Sequence, residues 1–190
     1  MQQNEQIHTL DDIITIFNGC FADEFNTRLL KGGDEPIYIP ANHKTDGYEV
    51  LPYHAIYFAR GFYSSALHEI AHWLVAGEAR RQLEDFGYWY EPDGRSAERQ
   101  RDFEKVEVKP QAIEWVLATA AGFRYFASAD NLNGNPGDAA PFKQAVYNQV
   151  KEYAERGYLP KRAETLRKAL AKFYGTEDRI HLANFDLSRI

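Results

Sequence analysis

The chain has 190 residues, of which 44% are apolar, 26% charged and 14% aromatic, and its formal net charge is −6. That balance describes an ordinary soluble globular protein the size of one domain. It argues against direct nucleic-acid binding, which needs a basic footprint, and it suits a cationic substrate or partner.

The first residues, MQQNEQIHTLDD, hold no basic or apolar leader segment, and no apolar run approaches the length of a membrane span. A cytoplasmic protein without membrane contact is expected. Thr9 precedes the apolar series Leu10, Ile13, Ile14, Phe17 and Phe21, and with Asp12 it resembles a capping box. A helix is expected over about residues 10–19, followed by a second short helical piece. Cys20 sits in this pattern as a small core residue; a lone cysteine builds neither an intrachain disulfide nor a cysteine-rich zinc site.

EPIYIP (35–40) is a β-branched and aromatic run between prolines, which suits an edge strand. ANHKTDGYEV is turn-rich. HAIYFAR (54–60) is apolar enough for a central strand. Residues 61–76 read as a helix stopped at Gly77. RRQLEDFGYWYEPDGRSAERQRDFEK is mixed, with a helical start, an aromatic cluster and a Pro-Asp-Gly turn. A strongly helical pattern runs from Glu107 or Pro110 to Ala121, with Pro110 suited to the first turn. Residues 128–141 have the composition of a loop, and two amphipathic helices are expected at about 142–155 and 161–173. The tail TEDRIHLANFDLSRI shows no clear pattern. No repeat and no linker divides the chain, so one domain over 1–190 is expected, with the helices at about 142–174 part of it.

The stretch SALHEIAHW carries the chemistry. At 100° per residue, Phe62, Tyr63, Ala66, Leu67, Ile70, Trp73 and Leu74 spread over one apolar arc. Gly61, Ser64, Ser65, His68, His72 and Val75 fall opposite. Glu69 is the only charge from Gly61 to Gly77, so the histidine face is expected to look into a cleft. His68 and His72, four apart, lie one above the other and reach one ion. Glu69 points about 100° away from His68, beside a metal and not on it, where a general base or an orienting partner sits. The plainer alternative is a pair of core histidines bonded to backbone carbonyls, which leaves the uncharged face unexplained.

Two histidines need a third ligand. Glu78 follows the Gly77 stop, but Arg80 and Arg81 offer it ordinary ion pairs. Glu107, in KVEVKPQAIEW, opens a later apolar helix and is the preferred carboxylate; Gln111, one turn on, either orients a ligand or bonds a substrate. His43 and His54 are further candidates, with a surface or strand-end role the simpler reading. Two histidines and one carboxylate serve zinc peptidases, with Glu69 as base, and equally the non-haem Fe(II) oxygenases.

The blocks CFADEFNTRLLKGGDEPIYIPA, FARGFYSSALHEIAHW, ARRQLEDFGYWYEPDGR and FEKVEVKPQAIEW, in order over about residues 10–135, resemble the elongation factor P hydroxylase family. The C-terminal third is less distinctive. The resemblance implies a monooxygenase that hydroxylates the β-lysylated lysine of elongation factor P. It implies a non-haem metal, Fe(II) before Zn, on His68, His72 and Glu107. Glu69 then has no water to activate and is expected to orient a ligand or bind an ammonium group. Such a side chain is long and cationic, and Tyr88, Trp89, Tyr90 and Glu91 in FGYWYEPDGR offer it ring faces and a carboxylate. The expected fold is α+β: a small, antiparallel or mixed sheet packed against several helices in a zincin-like layout, which is a fold-level analogy.

Overall fold

Thr9 Oγ1 accepts the Asp12 N–H at 3.1 Å while the Asp12 carboxylate accepts the Thr9 N–H, so the capping box starts helix α1, Leu10–Phe21. The computed structural model describes residues 8–87, 96–128 and 139–190. The chain gathers into two units, Met1–Gly87 and Tyr88–Ile190.

In the first unit the expected second helical piece is instead a strand, β1 (Thr27–Lys31), entered through Asn26 at φ 46°. Its signal is weak because Leu29 and Leu30 are not β-branched and Arg28 and Lys31 break the run. A parallel pairing with β3 (His54–Phe58) makes it a strand, as tertiary partners often decide. The short strand β2 (Ile37–Ile39) pairs antiparallel on the other side of β3. The sheet is therefore mixed, in the order β1-β3-β2, with HAIYF central and IYI at an edge.

Open sheet edges invite unwanted pairing. A side chain caps one backbone N–H on each edge here. Asn18 Oδ1, from α1, accepts the Leu29 N–H at 2.8 Å, and Asp85 Oδ1 accepts the Tyr38 N–H at 2.8 Å. Asp85 performs this in a left-handed stretch, with Asp85 at φ 45°, Phe86 at 59° and Gly87 at 67°. Two successive non-glycine residues there cost of order 1–3 kcal/mol each. The stacking of buried Phe86 on Tyr38, 4.3 Å between centroids, offsets part of that.

Burial pushes the Asp85 carboxyl above its ordinary value; the Glu84 charge adds to this, and the Tyr38 N–H opposes it. A raised carboxyl favours folding fully only while protonated, and that contribution is lost as pH rises through the folded-state value. Asp85→Asn keeps the acceptor, tolerates the left-handed backbone and carries no charge. It is expected to match or exceed the wild type at pH 7, with its advantage vanishing below about pH 4. Asp85→Ala is expected to lose about 1–2 kcal/mol. Urea unfolding at several pH values checks this; an Asn variant as weak as the Ala variant refutes it.

Helix α2 (Tyr63–Val75) packs on β3, and α1 packs on β1. Phe17 and Phe21 of α1, with Phe25, surround the Trp73 indole at 5.3, 4.9 and 5.7 Å. Phe62 departs from the expected apolar arc and is 59% exposed. It is the N-cap, with extended backbone, and so falls off the helical wheel.

The second unit is helical. Helix α3 (Ala97–Ala120) begins well before the expected Glu107 or Pro110. Ser96 Oγ accepts the Arg99 N–H, and AERQRDFEK supplies good helix formers with Gln100–Glu104 and Lys105–Asp102 side-chain bonds. The alternation of Phe103, Val106 and Val108 obscures this, because Val106 lies on the exposed side. Pro110 is interior and leaves the Val106 carbonyl without its usual donor. α3 packs against α4 (Ala140–Arg156) and α5 (Lys161–Tyr174), close to the expected ranges. Buried Arg167 on α5 is held by Glu164 and Asp178 at 2.7 and 3.1 Å. The tail forms two short 3-10 turns, Leu182–Asn184 and Leu187–Arg189. No helix among the described residues is long and apolar enough to cross a membrane.

Candidate metal centre

The entry into α2 is fixed from the sequence outward. Arg60 and Gly61 take φ 54° and 68°, and a Cβ on Gly61 would meet the Lys31 side chain at 2.9 Å. Ser65 Oγ then accepts the Ala59 N–H at 3.0 Å, tying the helix to the end of β3. With Ala66, Leu67, Ile70, Trp73 and Leu74 buried, the rotation of α2 is set, and the half-buried His68 and His72 share the remaining face.

Their Nε2 atoms lie 3.2 Å apart, with the rings tilted by 68°. Two imidazoles bound to one ion at about 2.0–2.1 Å, with bond angles between octahedral and tetrahedral, place their nitrogens roughly 2.8–3.4 Å apart. The pair fits a shared metal. Without one, the same distance is a hydrogen bond with a proton on one of the two nitrogens.

Glu107 lies eleven residues into α3 and is 4% exposed. Among the described residues, one group of three potential ligands brings its donor atoms within 4.8 Å of one another: His68, His72 and Glu107. A His-His-Glu cluster of this kind could hold a metal ion. Half-buried Glu69 and exposed Glu78 are outside that group. So are the other two candidates. His43 Nε2 lies 3.4 Å from Glu84. His54 Nδ1 accepts the Ala41 N–H at 3.2 Å and sits 3.1 Å from the Tyr38 hydroxyl. Burial first, and then the Arg81 charge, hold His54 below the usual imidazole value, consistent with a neutral ring in a backbone role. Tyr88, Trp89, Tyr90 and Glu91 lie outside the described residues.

Gln111 is 1% exposed and its amide is fully engaged. Nε2 donates to Glu107 Oε2 at 3.3 Å and to the Ser128 carbonyl at 2.6 Å. Oε1 accepts the Tyr125 hydroxyl at 2.8 Å and the Ser128 N–H at 3.2 Å. These four bonds join Gln111 to Glu107 and to the segment that follows α3. Sequence reading gives no sign of Tyr125 or Ser128. Spacing along a helix does not reach them, since both lie past the end of α3.

A family model described as elongation factor P hydroxylase matches residues 16–185. The match thus takes in the C-terminal helices as well as the four distinctive blocks. A protein of Haemophilus influenzae named elongation factor P lysine hydroxylase is 78% identical over 183 residues, covering 96% of this chain and 99% of that one.

Proposed function

The chain belongs to the elongation factor P hydroxylase family, and from that premise we infer how its site works. It is an enzyme, a protein hydroxylase, and its partner is elongation factor P, on which it hydroxylates a lysine. In our reading that lysine already carries a β-lysyl group, the reaction uses O₂ and a non-haem metal, and both proteins meet in the cytoplasm.

His68, His72 and Glu107 hold the metal, Fe(II) in preference to Zn. The observation that carries this ligand set is the 3.2 Å spacing of the two Nε2 atoms with a carboxylate in the same group, and the preference for iron follows from the hydroxylation chemistry of the family. Bound by two imidazoles and one carboxylate, such a metal would supply O₂ chemistry at an unactivated C–H bond, with an external reductant giving the two electrons that take the second oxygen atom to water. The protein's own share is positional. α2, packed on β3 in what we read as a zincin-like layout, presents both imidazoles from one helix face and would hold them toward the ion together. Glu107 adds the negative charge that favours a divalent cation. Glu69, beside His68, orients that ligand or binds a substrate ammonium. Tyr88, Trp89, Tyr90 and Glu91 supply ring faces and a carboxylate for the cationic side chain. Fixing the target carbon close to the metal lowers the entropic part of the barrier.

The test is the intact mass of β-lysylated elongation factor P after incubation with this protein, Fe(II), a reductant and air, with His68→Ala in parallel. The expected result is a gain of one oxygen with the wild type and none with the variant. Fully metallated protein that adds no oxygen overturns the hydroxylase chemistry and returns attention to metal-dependent hydrolysis.

A further inference from the structure

The end of α3 contains a reversal that no spacing rule foretells. Ala121 caps the helix and Gly122, at φ 65°, follows. The Phe123 N–H reaches back to the Ala118 carbonyl at 2.8 Å and the Gly122 N–H to the Thr119 carbonyl at 3.0 Å. This pair of bonds is the Schellman arrangement, which turns the chain back on its own helix. Residues 123–128 then pass along α3 toward its N-terminus. The Tyr125 ring stacks on Trp115 at 5.4 Å and 20°, and one turn of helix further on its hydroxyl meets Gln111.

An amide side chain has two chemically different ends, and its neighbours decide which faces where. Ser128 offers Gln111 both a carbonyl and an N–H, which matches one orientation of the amide only. The Tyr125 hydroxyl supports the same orientation. Its O–H donates to Oε1 at 2.8 Å, a second donor at that end of the amide. The amide NH₂ is thereby aimed at Glu107 Oε2. That bond ties the Glu107 carboxylate to a side chain that is itself held at both ends.

We propose that Tyr125, acting through Gln111, is a positioning residue for Glu107: the returning segment 123–128 holds the Gln111 amide so that it fixes the orientation of the Glu107 carboxylate toward the metal site. Buried bonds of this sort behind a ligand set its orientation and basicity. The inference rests on Glu107 being a ligand, as read above.

Tyr125→Phe tests it, since the ring and its stacking on Trp115 stay. The readout is Zn(II) affinity, measured by competition with a chromophoric chelator on the full chain, for wild type, Tyr125→Phe, Gln111→Leu, Glu107→Ala and the double variant Tyr125→Phe/Glu107→Ala. We expect Tyr125→Phe to weaken Zn(II) binding about threefold to tenfold and Gln111→Leu about 10–100-fold. The Tyr125→Phe loss should disappear when Glu107 is already alanine, because the two residues act as one unit. A Tyr125→Phe protein that binds Zn(II) as the wild type does overturns the proposal. So does a loss that persists undiminished in the Glu107→Ala background, which marks a general structural effect. If Glu107→Ala itself binds Zn(II) like the wild type, the ligand assignment fails, a result separate from either of these.

Discussion

His72→Ala is expected to leave a folded protein that retains no metal after dialysis and adds no oxygen to elongation factor P. His72 is half-buried, and the buried neighbours Ala71 and Trp73 on either side of it carry the packing of α2. Truncation there should cost stability within about 1 kcal/mol. Metal affinity should fall by far more than the roughly 10–100-fold that follows loss of a supporting partner, because the proposed ligand set then lacks one of its three members. Metal content by mass spectrometry and turnover on the modified factor give the two readings, with the melting curve as control. A His72→Ala protein that keeps stoichiometric metal and turnover would remove the histidine pair from the chemistry. Glu69→Gln belongs in the same experiment. It should keep its metal, because Glu69 is outside the group of three. Were Glu69 the base of a hydrolase, its loss would cost about 10²–10⁴-fold in rate by itself.

Much of the candidate site is readable because its parts are local. His68 and His72 are four apart on one helix, and the absence of charge around them marks a sheltered face. The box at Thr9 and Asp12 is likewise written within one turn. What was hidden depends on distant partners. β1 becomes a strand through β3, more than twenty residues away, and nothing in TRLLK announces it. The start of α3 was obscured because Pro110 looks like a first-turn residue, whereas thirteen helical residues, 97–109, and the Ser96 cap come first. That shift places Glu107 inside a helix instead of at its start, so Gln111 stands one full turn above it. Tyr125 was invisible for a related reason. Its role exists only because Gly122 reverses the chain, and a glycine after a helix says where the helix stops without saying where the chain goes next.

Trp73, one residue from His72, joins α2 to the rings of α1, and Trp73→Ala is the substitution expected to do the most damage to the fold. The indole is 0% exposed and sits among Phe17, Phe21 and Phe25, with the Arg81 guanidinium 5.9 Å from its ring. Truncation removes the apolar contacts that join α1 to α2 and leaves a cavity that three rings and a tied-down guanidinium fill poorly. Arg81 is itself fixed, since its NH1 donates to the Ala76 carbonyl at 2.8 Å. The expected loss is about 3–5 kcal/mol, a large share of the stability of any domain this size. Trp73→Phe retains part of the ring packing and should lose distinctly less. Urea unfolding separates the two, and metal binding by the surviving folded fraction adds the functional half. If α2 is held in register by this cluster, Trp73→Phe binds metal more weakly than its stability loss alone explains, because His72 turns with the helix. A Trp73→Phe protein of reduced stability with wild-type metal affinity would show instead that β3 and Ser65 suffice to place the histidines.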